Sequence, residues 1–295
     1  MLQGLFTALV TPFANRQLDE EAFRALIDAQ FEAGVDGVVP VGTTGESPTL
    51  SNEEHHRAIE IAVEQTAGRG VVMAGTGSNS TREAVALTQE AERAGATHSL
   101  QVAPYYNKPP QEGLYRHFRS IAESTALDIV LYSIPGRCGV AIDVDTVARL
   151  AADCPNIVAI KEAGGQTERV HQLRTSLPDS FSILSGDDSL TMPFMAAGAN
   201  GVISVASNLI PAEMGQLVRH MLADELKEAR DVHYKYYPLF RAFLKLATNP
   251  IPIKEAMAMA GKIPSSALRL PLVGLEADDR AALEKALIES GILQG

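Results

Sequence analysis

Asn156-Ile157-Val158-Ala159-Ile160-Lys161-Glu162-Ala163 begins as a buried strand and ends on a lysine. Ile157, Val158, Ala159 and Ile160 form an apolar run without alternation, the pattern of a parallel strand covered on both faces. Pro155 breaks the chain before it, and Gly164-Gly165 turn the chain after it. A lysine placed directly after such a run leaves the sheet at its carboxyl end, where α/β folds place their chemistry. An amine held there is partly desolvated, which lowers its pKa and exposes a nucleophilic lone pair. Taken alone, the same lysine could end a strand and extend its charge to water. The surrounding chain separates the two readings.

On both sides of this stretch, short apolar runs alternate with amphipathic segments. Strands are predicted over 5–10, 37–41, 71–74, 99–103, 128–132, 181–184 and 201–205, besides the lysine strand itself. Helices are predicted over 19–33, from 52 onward, and over 80–94, 111–124, 143–151, 166–175, 190–197 and 211–223. Asp19 stands at an N-cap position, and Ser51 followed by Glu54 forms a capping box. Ala33-Gly34, Ala94-Gly95 and Ala197-Gly198 each close a helix just before a strand, with Gly where helix C-termini favour it. Eight strands alternating with helices read as a (β/α)8 TIM barrel over 1–224, with a doubly wound open sheet as the alternative. Residues 225–295 read as a C-terminal helical region without strands.

Bulk properties narrow the function. The 295 residues are 46% hydrophobic, enough to bury a large core. A formal net charge of −11 argues against nucleic acid and anionic membrane as partners, though a local basic cluster can still receive an anionic small substrate. The two cysteines, Cys138 and Cys154, match no zinc or redox spacing, and the seven histidines are scattered. No metal or cofactor is expected. Met1-Leu2-Gln3-Gly4 has no signal-peptide character, and no apolar run approaches the ~20 residues of a membrane span. The expectation is a cytoplasmic protein with reduced thiols.

Polar residues gather at the predicted strand ends. Thr43 and Thr44 follow the second strand, and Tyr105 and Tyr106 the fourth. Tyr132 ends the fifth, Lys161 the sixth, and Gly186 with Asp187 follows the seventh. In a parallel barrel all of these share one mouth. Neighbouring strands lie about 4.8 Å apart, so Tyr132 and Lys161 can face one cavity. A buried amine, a phenol and a Gly-rich turn with free N–H groups suit carbonyl chemistry: imine formation, proton transfer and carboxylate binding. Each element has a plainer reading. Gly42-Thr43-Thr44-Gly45 lacks the lysine of a P-loop, the tyrosines could be core aromatics or an interface pair, and Asp187-Asp188 reads as a helix N-cap in preference to a metal site.

Five motifs together resemble the dihydrodipicolinate synthase/N-acetylneuraminate lyase family. They are Gly42-Thr43-Thr44-Gly45-Glu46, Pro104-Tyr105-Tyr106-Asn107, Leu131-Tyr132-Ser133-Ile134-Pro135-Gly136-Arg137, Ile160-Lys161-Glu162-Ala163 and Ser185-Gly186-Asp187-Asp188. The resemblance runs from Gly4 past Asn249-Pro250-Ile251-Pro252-Ile253-Lys254. It implies an imine between Lys161 and pyruvate, and a proton relay of Tyr132, Thr43 and Tyr106, with Tyr106 reaching across a subunit interface. Thr44 would hold the pyruvate carboxylate, Arg137 would bind the carboxylate of L-aspartate 4-semialdehyde, and Gly186 and Ile203 would line the pocket through backbone groups. The expected assembly is a homotetramer, a dimer of dimers. Arg137 favours the pyruvate-condensing synthases of lysine biosynthesis over the sugar-acid lyases, because a guanidinium–carboxylate pair is geometrically selective. Ser133 departs from the asparagine more usual in synthases and matches related hydroxy-oxoglutarate aldolases, so a 2-oxo acid aldolase using the same imine is the alternative. Ser47, His55, Asn79, Glu83 and Tyr105 match a feedback site for L-lysine in synthases of this kind, with Asn52 where histidine is frequent.

Overall fold

The computed structural model describes residues 1–294; Gly295, the last residue of the expected C-terminal region, lies outside the described residues. Eight parallel strands form a closed barrel. They are β1 (Gly4–Ala8), β2 (Gly37–Val39), β3 (Val71–Gly75), β4 (His98–Val102), β5 (Asp128–Ser133), β6 (Ile157–Glu162), β7 (Ser182–Ser185) and β8 (Gly201–Ser204). Each pairs with its sequence neighbour, and β8 returns to β1 with Phe6 opposite Ile203. Closure rules out the open-sheet alternative. At the seam the chains approach so closely that a Cβ on Gly201 would lie 2.0 Å from the Gly4 carbonyl oxygen.

The strands read as unbroken apolar runs because both faces are covered. One buried cluster fills the barrel, from Phe6 on β1 through Met73, Val130 and Ala159 to Ile203 on β8. A second, larger cluster packs the outward residues, such as Val38, Ile129 and Ile160, against apolar helix faces such as Phe23 and Ile27. The predicted caps are present. Asp19 accepts from the Ala22 amide at 3.0 Å, and Ser51 and Glu54 exchange bonds of 3.2 and 3.0 Å. Gly34 and Gly95 take left-handed φ values of 82° and 92°, which end their helices.

Two features depart from the expectation. A two-stranded hairpin, Phe13–Ala14 with Gln17–Leu18, follows β1. Its turn residues Asn15 and Arg16 both adopt positive φ, without the glycine that would have announced such a turn. The predicted turn Pro135-Gly136-Arg137 is instead a short helical turn, Pro135–Cys138, begun by the proline. After the barrel the chain is helical, in segments Leu226–Lys245, Ile251–Met259 and Ala277–Glu289. None of the described helices is long and apolar enough to cross a membrane.

Candidate active site

A bulge in β6 aims Lys161. Ile129 pairs with Ile157, but Val130 pairs with Ala159, so Val158 is an extra residue on β6. Ile157 packs outward, and strict alternation would then turn Lys161 outward as well. The extra residue reverses the phase. Ala159 joins the interior cluster, and Lys161 follows it inward, directly opposite Tyr132 on β5 and Leu184 on β7. Glu162, pointing outward, is fully buried and accepts from Arg169 at 2.6 Å. Ser133, opposite Glu162, also faces away from the barrel and accepts a bond from the Ile142 amide, so the departure noted there does not reach the cavity.

The Lys161 amine lies 4.4 Å from the centre of the Tyr132 ring, and the residue is 6% exposed. Burial lowers its pKa to about 8; Asp188 opposes this and Arg137 adds to it. About one amine in ten is then neutral at pH 7, against about one in 2,500 for an ordinary lysine. Burial pushes the Tyr132 phenol up to about 12, with Arg137 and the Thr43 hydroxyl pulling the other way. The phenol therefore stays protonated at neutral pH and can donate. Gly186 leaves the space over the amine open: a Cβ there would lie 3.0 Å from Lys161 Cε and 2.7 Å from Ala163 Cβ. Ile203 is fully buried in the interior cluster beside these groups.

The turn after β2 is tightly wound. Gly45 and Glu46 amides donate to the Gly42 and Thr43 carbonyls at 3.1 Å, and Val41 and Glu46 adopt φ of 51° and 56°. Thr44 is buried, and its Oγ1 accepts from Asn249 Nδ2 at 3.0 Å. Arg137 donates to Thr248 Oγ1 and to the Asn249 carbonyl, both at 3.1 Å. Sequence reading missed Thr248 and Asn249 as site residues, although the resemblance runs past Asn249. Asp187 is the cap expected, accepting from the Ser189 amide at 2.8 Å. Asp188 is not a cap. Its Oδ2 crosses to β8's end to accept from the Val205 and Ala206 amides at 3.1 and 2.9 Å, and burial raises its pKa to about 6.

A cavity of about 440 Å³ opens beside Tyr132. Thr43, Tyr132 and Arg137 line it together with Ser47, His55, Glu83 and Tyr105, so catalytic and feedback candidates share one continuous space. His55 bonds to the Gly75 carbonyl at 2.9 Å, and burial lowers its pKa. Glu83 accepts from the Ser78 hydroxyl, and Asn79 donates to the Tyr105 carbonyl at 3.1 Å. Tyr106 is not brought to Tyr132 within the chain. It is 90% exposed, on a loop where it adopts φ of 72°. Among the described residues no group of three or more His, Cys, Asp or Glu is placed to hold a metal ion.

Known proteins match this chain over nearly its whole length. The profile of the Dihydrodipicolinate synthetase family matches residues 1–290. The 4-hydroxy-tetrahydrodipicolinate synthase of Syntrophus aciditrophicus (strain SB) is 50% identical over 293 residues, covering 99% of this chain and 100% of the relative. Among solved structures, the 4-hydroxy-tetrahydrodipicolinate synthase of Methylacidiphilum fumariolicum SolV superposes with a TM-score of 0.97 at 52% identity, covering 99% of this chain and 96% of that one. A lysine-bound dihydrodipicolinate synthase from Cyanidioschyzon merolae gives 0.95 at 40% identity, covering 99% of each chain.

Proposed function

The chain belongs to the dihydrodipicolinate synthetase family, and we propose that it condenses pyruvate with L-aspartate 4-semialdehyde through an imine on Lys161. It is a lyase that forms 4-hydroxy-tetrahydrodipicolinate in lysine and diaminopimelate biosynthesis. The observation that carries the role of Lys161 is its buried amine, lowered to about 8 and lying 4.4 Å from the ring of Tyr132, which lines the cavity. Neutral Lys161 attacks the pyruvate ketone, and the Tyr132 phenol, with Thr43, moves protons as water leaves and as the aldehyde adds. Thr44, steadied by Asn249, and the Thr43 and Thr44 N–H groups hold the pyruvate carboxylate. Gly186 and Ile203 shape the pocket around the imine. Among the described residues Arg137 is bonded to neutral oxygens of Thr248 and Asn249, which leaves its charge for the aldehyde's carboxylate.

Catalysis on this reading belongs to the barrel, residues 1–224, with 225–294 as its helical appendage. Tyr106 completes the relay of a second subunit in a dimer of dimers, which accounts for a tyrosine 90% exposed in the single chain. L-Lysine is the effector, bound where Ser47, His55, Glu83 and Tyr105 line the cavity and Asn79 braces the Tyr105 carbonyl. Borohydride reduction with labelled pyruvate tests the central step. Label should be fixed on the wild type and absent from Lys161→Ala. Label retained in Lys161→Ala would place the nucleophile elsewhere, and a panel of aldehydes would identify the acceptor by product.

A further inference from the structure

We propose that the buried Lys254–Glu46 ion pair is a positioning device for the Thr43–Thr44 turn, which makes the C-terminal helical region part of the pyruvate site. The inference rests on the turn's role as carboxylate holder. Glu46 and Lys254 are given no step in the reaction, although Glu46 ends the turn that carries Thr43 and Thr44. Both side chains are completely buried, and they meet at 2.7 Å. Lys254 spends its three N–H bonds on three segments: Glu46 Oε1, the Thr11 carbonyl at 2.9 Å and the Ala267 carbonyl at 2.6 Å. The other Glu46 oxygen accepts from the Arg269 amide at 3.0 Å. Thr11 in turn donates its hydroxyl to the Gly45 carbonyl at 2.7 Å.

These bonds converge on a turn whose last residue adopts left-handed φ of 56°, a conformation a glutamate keeps only when its surroundings hold it. Burying two charges is weak evidence for stability, since an apolar pair of similar volume commonly serves as well. Directed bonds do something an apolar pair cannot: they fix where the turn sits. Glu46 lies two residues after Thr44, and its amide is bonded to the Thr43 carbonyl, so a shift of its carboxylate moves both threonines. The same C-terminal region also reaches Thr44 through Asn249. The device thus acts mainly on the ground-state placement of pyruvate: its bonds run to the Thr43–Thr44 turn, whereas Arg137 is held by Thr248 and the Asn249 carbonyl, outside the pair's own hydrogen bonds.

The double variant Glu46→Gln/Lys254→Met removes both buried charges together and leaves no lone ion. Steady-state kinetics, thermal denaturation and borohydride trapping are measured on the full-length chain. The KM for pyruvate should rise roughly 10- to 100-fold, the scale of an ångström-sized misplacement. The KM for the aldehyde should change less than about twofold, with trapping still complete at saturating pyruvate. Glu46→Asp keeps both charges and shortens the tether by one methylene; it should show the same split, and it carries the test should the neutral pair not fold. An unchanged pyruvate KM, or both KM values rising in step with a fall in Tm, would overturn the inference. Wild type that fails to trap pyruvate would instead sink the reading of the site itself.

Discussion

The lysine amine is set by its burial and its neighbours, and each has a measurable consequence. Its pKa is lowered to about 8, so the protonated form dominates below that pH and the nucleophile above it. The second-order rate of imine formation should climb about tenfold per pH unit up to about pH 8 and then level off. A rate still climbing beyond about pH 9.5 would mean an ordinary amine. Arg137 acts at the other end of the cavity. Arg137→Ala should leave pyruvate trapping intact and lower kcat/KM for aspartate semialdehyde about 10- to 150-fold, the worth of a charge-assisted contact of about 1.5–3 kcal/mol. Equal kinetics in the two proteins would remove Arg137 from substrate binding and reopen the aldolase reading.

Elements of this barrel are delimited by local chemistry that can be removed piece by piece. The helix Asn52–Thr66 begins with a reciprocal Ser51–Glu54 capping box, and Ser51 is exposed. Ser51→Ala deletes one side of the box without leaving a cavity. It should cost about 1 kcal/mol in urea unfolding, with the folded spectrum unchanged. No measurable shift would mean that water replaces the cap. The same element carries His55, which bonds to the Gly75 carbonyl at the end of β3, so a frayed first turn would reach the edge of the cavity. Lysine affinity is accordingly expected to weaken in Ser51→Ala more than its modest stability loss suggests.

At the scale of the whole molecule, the exposed Tyr106 tests the proposed assembly. If it serves a neighbour's site, two inactive variants should repair each other. A hybrid of Tyr106→Phe and Lys161→Ala subunits contains one site with intact Lys161 and a partner's intact Tyr106. Mixing the two unfolded proteins and refolding them together should restore activity that neither shows alone. Absence of rescue, with hybrids demonstrated by mass, would assign Tyr106 to its own chain. On the proposed reading, the cavity lined by both Tyr132 and Glu83 would let an effector and substrate sense each other over a short distance. Calorimetry should find lysine binding in the wild type and lose it in Glu83→Ala, together with inhibition. Inhibition persisting in that variant would move the feedback site.

Sequence alone determined the alternation of strands and helices, because apolar periodicity and the caps at Asp19, Ser51 and Gly95 are local signals. It also determined which residue types collect at the carboxyl ends of the strands, since a parallel barrel leaves no choice of end. Tertiary structure decided three things. The bulge at Val158 turns Lys161 toward Tyr132, although the run Ile157 to Ile160 reads the same with or without it. Asp188 crosses to the Val205 and Ala206 amides, where sequence offered a helix cap or a metal site. Thr248, Asn249 and Lys254 return to Arg137, Thr44 and Glu46 across separations of 111, 205 and 208 residues. Contacts of that length leave no periodic trace, because the hydrogen bonds that fix them form only once the barrel has closed.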